Sequence, residues 1–185
     1  MRPQGASKLS AILRLAADAR VIAIDGRSAS GKTTLASELA AQTGASVIHM
    51  DDFFLPQDLR TEERLNTPGG NVHHERFASE VLPHIKGSDA FSYGIFDCAT
   101  GEICGKREIA AGEHRIVEGA YSCHPILGDY MDLRIFCDIA PDEQIERVKN
   151  RNGIDAAKIF AEKWIPLEEK YLEIFEIQAK ATIKI

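Results

Sequence analysis

A layered α/β fold around a mainly parallel sheet is what this sequence predicts, and three observations carry the prediction. The runs "VIAID" (21–25), "RIVEG" (115–119) and "LRIFCDI" (133–139) are apolar almost throughout, which marks strands buried on both faces rather than alternating ones. Segments of helical periodicity fall between them, as crossover connections require. "SVIHM" (46–50) adds a further strand, and "ATIKI" at 181–185 suits a fifth at the sheet edge.

In chain order, Leu9, Ile12, Leu13 and Ala16 recur at helical spacing and place a first helix over residues 8–19. Leu35, Leu39 and Ala40 mark a second over about 32–43, and "TPGGN" (67–71) is a strong turn signal. Phe77, Val81, Leu82 and Ile85 form one face of a helix ending near Gly87. Residues 91–96 and 102–109 read as two strands of a hairpin. Pro141 and Gly153 bracket another helix, Pro at its start and Gly past its end, and a longer helical stretch interrupted by Pro166 follows. The 185 residues fit a single domain, 1–185, with an insertion at about 55–105 and a small lid at about 147–163.

Composition narrows the function classes. At 44% hydrophobic and 27% charged the chain is an ordinary globular one, and its net charge of −6 argues against a broad nucleic-acid-binding face. No apolar stretch approaches the roughly 20 residues that span a bilayer, and the first residues lack the apolar core of a secretory signal. The four cysteines (Cys98, Cys104, Cys123, Cys137) have neither C-x-x-C nor metal-finger spacing, so free thiols in a reducing cytoplasm are expected. These features leave a small molecule as the expected partner, with no nucleic acid and no membrane, and leave a homo-oligomer open.

The most specific signal is Gly26-Arg27-Ser28-Ala29-Ser30-Gly31-Lys32-Thr33, a full match to G-x-x-x-x-G-K-[ST] between a strand and a helix. Its glycines let successive backbone N–H groups turn toward phosphate oxygens, and the following helix adds its positive end. Gly26, Ser28, Ala29, Ser30 and Gly31, with Lys32, Thr33 and Thr34, are thus the expected nucleotide-binding residues. Lys32 would reach the β- and γ-phosphates of ATP (or GTP), and the Thr33 hydroxyl would ligate Mg²⁺. Neither N-K-x-D nor D-x-x-G occurs, which argues against a GTPase switch, and the length suits a small-molecule kinase.

Phosphoryl transfer needs a group that orients the accepting hydroxyl. Asp51 follows the second strand, where it could face the γ-phosphate, orienting a hydroxyl or touching the metal through water; Asp52 should point elsewhere by alternation. Glu118 ends the strand "RIVE", a position suited to a carboxylate that holds Mg²⁺ through water, with Asp138 as its rival. Tyr121 and Ser122 follow closely enough to line an acceptor pocket. Arg76 could meet a substrate anion or pair with Glu75 or Glu80. Arg147 and Arg151 share one helix face, with Glu143 within reach of Arg147.

Through "DGRSASGKTTLA", "DDFF", "NVHHERF", "VEGAYS" and "IERVKNRNG", the chain resembles the uridine kinase-like family of P-loop small-molecule kinases over residues from about 20 to 180. The resemblance implies a three-layer α/β/α P-loop NTPase fold with a five-stranded sheet and a small lid. It also implies an ATP- and Mg²⁺-dependent kinase acting on a hydroxyl of a small, nucleoside-like molecule. By it Asp51 is the general base, Phe54 lines the acceptor pocket, Tyr93 and Asp97 lie in a segment closing over the acceptor, and Glu118 serves the metal. Arg147 and Arg151 would reach the transferring phosphate, so that Lys32, Asp51 and Arg151 form the catalytic set. Two departures stand out: His73 replaces an acidic residue that holds ribose hydroxyls, and the arginine-rich lid is missing after Asn152, with Lys158 or Lys163 as substitutes. A vitamin-precursor kinase for a riboside or pantothenate-like alcohol is the alternative within kinases. A nucleotide-binding regulator or slow ATPase without an acceptor is the alternative outside them.

Overall fold

The protein, a computed structural model, is described from residue 4 to residue 185, with side chains from residue 9 onward. The chain opens with α1 (Gln4–Ala16), β1 (Val21–Gly26), α2 (Lys32–Thr43) and β2 (Ser46–His49). An insertion follows, with 3₁₀ turns at Met50–Phe53 and Gln57–Leu59, helices α3 (Glu62–Asn66) and α4 (His74–Glu80), and strands β3 (Phe91–Asp97) and β4 (Glu102–Ile109). The remainder is β5 (Arg115–Glu118), β6 (Leu133–Cys137), α5 (Pro141–Asn152), α6 (Ile154–Ile159), α7 (Ile165–Ile174), α8 (Ile177–Lys180) and β7 (Ile183–Lys184).

Five strands form one sheet in the order β2-β5-β1-β6-β7, all parallel, and β3 pairs with β4 as a separate antiparallel hairpin. Alternation along β1 sends Val21 and Ala23 into one core and Ile22 and Ile24 into the other. The second core is closed by Ile12 and Ala16 of α1 with Leu35 and Leu39 of α2. The first takes Phe77 of α4, Tyr171 and Leu172 of α7, and Ile177 of α8. The result is the expected three-layer α/β/α arrangement. Among the described residues no helix is long and apolar enough to cross a membrane.

Several element boundaries differ from the sequence expectation for local reasons. Helix α1 ends at Ala16, not at 19; the Asp132 carboxylate takes the Arg20 and Val21 N–H groups at 3.0 and 2.9 Å, fixing the chain where β1 begins, at Val21 as expected. Helix α4 stops at Glu80, short of Gly87, since Pro83 disfavours helical backbone at Leu82. The hairpin confirms the pairing expected for 91–109, so the insertion runs past residue 105. Residues 147–163 are helical apart from Gly153. A π-helical turn at Phe160–Trp164 precedes Pro166 and absorbs the i→i−4 bond that proline cannot make.

The buried His74 ring lies 4.4 Å from that of His124, whose Nε2 donates to Pro68 O at 3.0 Å and whose Nδ1 accepts from Ile126 N at 3.1 Å. Burial, then the charge of His124, lowers the His74 pKa from 6.5 to about 3. The unfolded chain therefore binds a proton near pH 6.5 that the folded one refuses until pH 3. Stability falls as pH drops through that window, by roughly 3 kcal/mol between pH 7 and pH 4 from this group alone. In urea titrations His74→Phe is expected to flatten that acid slope while staying folded at pH 7. An unchanged slope would contradict the assignment.

Candidate functional site

The site gathers at the carboxyl ends of β1, β2 and β5, where open α/β sheets place ligands. The loop after β1 is built for backbone exposure. A Cβ on Gly26, whose φ is +135°, would lie 2.0 Å from Cys137 O, so only glycine lets β1 continue into the loop beside β6. Ala29 and Gly31 take positive φ values of 62° and 98°, which curl the chain, and Ser30 N donates to Arg27 O at 3.2 Å. Helix α2 then starts without a side-chain cap and without an acidic residue in its first turn, leaving its N-terminal field to an anion.

Lys32 is buried and folded back on the loop, its Nζ donating to Gly26 O at 2.9 Å and Arg27 O at 2.8 Å. Ser28 is engaged from outside: its N–H and hydroxyl both donate to the buried Glu168 carboxylate of α7, the former at 3.0 Å. Arg147 reaches Ala29 O at 3.1 Å and also pairs with Glu143. Of the partners expected for Arg147, the pairing with Glu143 is seen, while its other contact is the Ala29 carbonyl of the loop. Thr34 is exposed beside the loop.

Thr33 and Glu118 come together as expected, with Thr33 Oγ1 donating to Glu118 Oε2 at 3.1 Å. His49 Nδ1 contacts the other carboxylate oxygen at 2.6 Å. Asp138 is turned away from this pair, held by Arg27, Gln178 and the Ile139 N–H. Two hard oxygen donors beside a phosphate cradle suit Mg²⁺, which keeps most of its shell for water and phosphate. No cluster of three acidic, histidine or cysteine ligands occurs among the described residues.

Asp51 and Asp52 diverge, but in a 3₁₀ turn rather than by the strand alternation expected, since that turn swings successive side chains by about a third of a revolution. Asp52 is buried and accepts from Tyr93 Oη at 3.1 Å and from Arg107 Nε and Nη2 at 2.7 and 3.2 Å. Asp51 keeps solvent access but is ringed by protein, so desolvation and then the Glu118 carboxylate raise its pKa. Lys32, Arg151 and His49 pull the other way, which puts Asp51 within electrostatic reach of all three. Arg151 itself is exposed, its Nε donating to Asn152 Oδ1 at 2.7 Å.

The acceptor side differs more from expectation. Tyr93, Tyr121 and Arg76 are buried and engaged inside the fold. Tyr93 Oη bridges His49 N and Asp52, and burial raises its pKa. Arg76 donates to the carbonyls of Asp52 and Gly94, pairs with Glu80 at 3.4 Å and lies over the Phe53 ring at 4.4 Å. The pairing with Glu80, rather than with a substrate anion, is the one seen. Tyr121 packs on Tyr171 at 4.8 Å, and Ser122 is fully buried. Phe54, half-buried, bridges to Val72, and Asp97 holds the hairpin turn through Ala99 N. Lys158 pairs loosely with Asp155, and Lys163 lies over the Trp164 ring, so neither substitute for the missing lid arginines reaches the loop. His73 caps α4 through Arg76 N and lines a cavity of about 510 Å³ with Leu55, Arg64 and Glu75. Glu75, 3.2 Å from His73, puts a carboxylate back beside the position where the sequence lacks one, bound bidentate by Arg64.

Four residues of the site escape sequence reading. Asp25 stands at the end of an apolar run, the one visible signal. It accepts from Gly26 N, Tyr121 N, Cys123 N and Tyr171 Oη at 2.7, 3.1, 2.8 and 2.7 Å. Glu168, His49 and Arg107 act through contacts that no local spacing announces. Arg107 reaches Asp52 because β4 sets it opposite Tyr93.

No protein-family model matches the chain, and no curated protein matches it. Solved structures do. A provisionally named uridine kinase from Bacillus stearothermophilus is 21% identical, covers 98% of this chain and 99% of its own, and gives a TM-score of 0.72. A provisionally named fructose transport system kinase from Silicibacter sp. TM1040 is 23% identical over 96% of this chain and 98% of its own, with a TM-score of 0.73. A circularly permuted, provisionally assigned P-loop kinase from Saccharomyces cerevisiae is 11% identical over 98% and 97%, with a TM-score of 0.62. At these identities the likeness establishes architecture: the chain has the fold of the P-loop kinases.

Proposed function

We propose that the protein transfers the γ-phosphoryl group of ATP to a hydroxyl of a small, nucleoside-like metabolite. The observation that carries this reading is the convergence of Lys32, Thr33, Glu118 and Asp51 at adjacent strand ends, with Arg151 within electrostatic reach. The provisional names of two structural neighbours, one for uridine and one for a fructose system, support a sugar-bearing acceptor.

In this reading Lys32 leaves the Gly26 and Arg27 carbonyls to pair with the β- and γ-phosphates, and the α2 N–H groups and loop amides hold their oxygens. Thr33 and Glu118 would hold Mg²⁺, which would neutralise charge on the phosphate oxygens. Asp51 accepts the proton of the attacking hydroxyl. Its raised pKa, from desolvation and then the Glu118 carboxylate, makes it a stronger base than an ordinary aspartate. Arg147 and Arg151 offset charge on the equatorial oxygens as it redistributes. The cavity lined by His73, Arg64 and Glu75 receives the acceptor.

A panel of neutral nucleosides, ribosides and polyols incubated with ATP and Mg²⁺ is expected to yield a phosphorylated product from at least one member. ADP release that ignores every hydroxyl compound would instead favour a slow ATPase. With an accepted substrate, Asp51→Asn is expected to leave ATP affinity near that of the wild type while lowering transfer by about 10² or more. Equal turnover would remove Asp51 from the chemistry. Lys32→Ala is expected to weaken ADP binding by roughly 10-fold or more, as loss of a charge-assisted contact should. Calorimetry showing unchanged affinity would contradict its role.

A further inference from the structure

We propose that His49 is a positioning residue for the metal-binding carboxylate, holding Glu118 in the orientation that phosphoryl transfer uses. This rests on the reading of the site just given. His49 ends β2, Glu118 ends β5, and the two are direct partners in the parallel register, so the sheet itself sets them side by side. His49 Nδ1 lies 2.6 Å from Glu118 Oε1, and Thr33 Oγ1 lies 3.1 Å from Oε2. Each carboxylate oxygen therefore has one protein partner. A glutamate tethered at Oε1 presents Oε2 to the cradle in one orientation, whereas an untethered one samples several about its last side-chain torsion.

The backbone that carries the imidazole is itself held in place. The His49 N–H donates to Tyr93 Oη at 3.1 Å, that hydroxyl donates to Asp52 at 3.1 Å, and Arg107 grips the same carboxylate. Contacts thus run unbroken from the β3–β4 hairpin through β2 to Glu118 and Thr33. The hairpin borders the acceptor side and Thr33 the donor side, so His49 is the joint between them. The role needs only an N–H directed at Oε1, not a charged ring. Partners of this kind behind a metal ligand typically change metal affinity by 10- to 100-fold when lost.

The test is Mn²⁺ affinity in the presence of ADP, followed by loss of the free Mn²⁺ electron paramagnetic resonance signal, in the full-length protein. His49→Phe is expected to bind Mn²⁺ about 10- to 100-fold more weakly than the wild type. His49→Asn, whose amide N–H stands in for Nδ1–H, is expected to recover most of that loss. ADP affinity in EDTA is expected to be the same in all three proteins. Unchanged Mn²⁺ affinity in His49→Phe, or an equal loss in both variants, would overturn the proposal. His49→Ala carries the same expectation where the phenylalanine variant does not fold. Absence of ADP-dependent Mn²⁺ binding in the wild type would overturn the underlying reading of the site, so the two failures are distinguishable.

Discussion

Everything at the strand ends hangs on the carboxylate of Asp25. Burial raises its pKa, yet four donors converge on its two oxygens, and an acceptor-only anion is the form that satisfies them all. Those donors come from three places: Gly26 at the mouth of the phosphate loop, Tyr121 and Cys123 after β5, and Tyr171 on α7. One side chain therefore ties together the glycine-rich loop after β1, the segment just past Glu118, and the helix that carries Glu168. Tyr121 sustains a φ of +73° to direct its N–H there, a cost of about 1–3 kcal/mol that the surrounding contacts must offset. Leaving a buried charge without these donors would cost several kcal/mol more.

From that anchor the donor side is held by carboxylates and the acceptor side by arginines. Glu168 binds Ser28 from behind the loop, and Glu169 with Asp138 binds Arg27 at its start. On the other side Arg64 joins α3 to α4 through Glu75, Arg107 secures Asp52, and Arg76 seals the gap between the 3₁₀ turn and the hairpin. Each of these arginines already has a carboxylate partner, which leaves the acceptor side without an unpaired cation among them. Asp51 is the exception to this pairing, an acidic group at the junction with no fixed partner of its own. The role proposed for it, with a substrate hydroxyl as partner, rests on that freedom.

How much of this could be read from residues depends on whether the cause was local. The phosphate loop was legible because its chemistry requires glycines, a lysine and a threonine at fixed spacing between a strand and a helix. The divergence of Asp51 and Asp52 was expected from strand alternation but arises from a 3₁₀ turn, whereas the Pro141 and Gly153 boundaries followed from helix-end chemistry. Glu118 was legible because it ends an apolar strand. The rest depended on which strand lies beside which. Only the β2–β5 register makes His49 a neighbour of Glu118, and only the hairpin pairing sets Arg107 opposite Tyr93. Tyr93 was expected at the acceptor from the resemblance and Tyr121 from its closeness to Glu118, while Arg76 was open between a substrate anion and Glu75 or Glu80. All three are buried by contacts distant in sequence, to Asp52, Tyr171 and Phe53.

The central claim is that Lys32 and Asp51 face one transferring phosphoryl group from opposite sides. A crystal structure with a non-hydrolysable ATP analogue and Mg²⁺ tests it most directly. Lys32 Nζ is expected to have left Gly26 O and Arg27 O for the γ-phosphate, with Asp51 across from that phosphate and room for one hydroxyl between them. An analogue bound with Lys32 still on those carbonyls, or with its γ-phosphate turned away from Asp51, would contradict it.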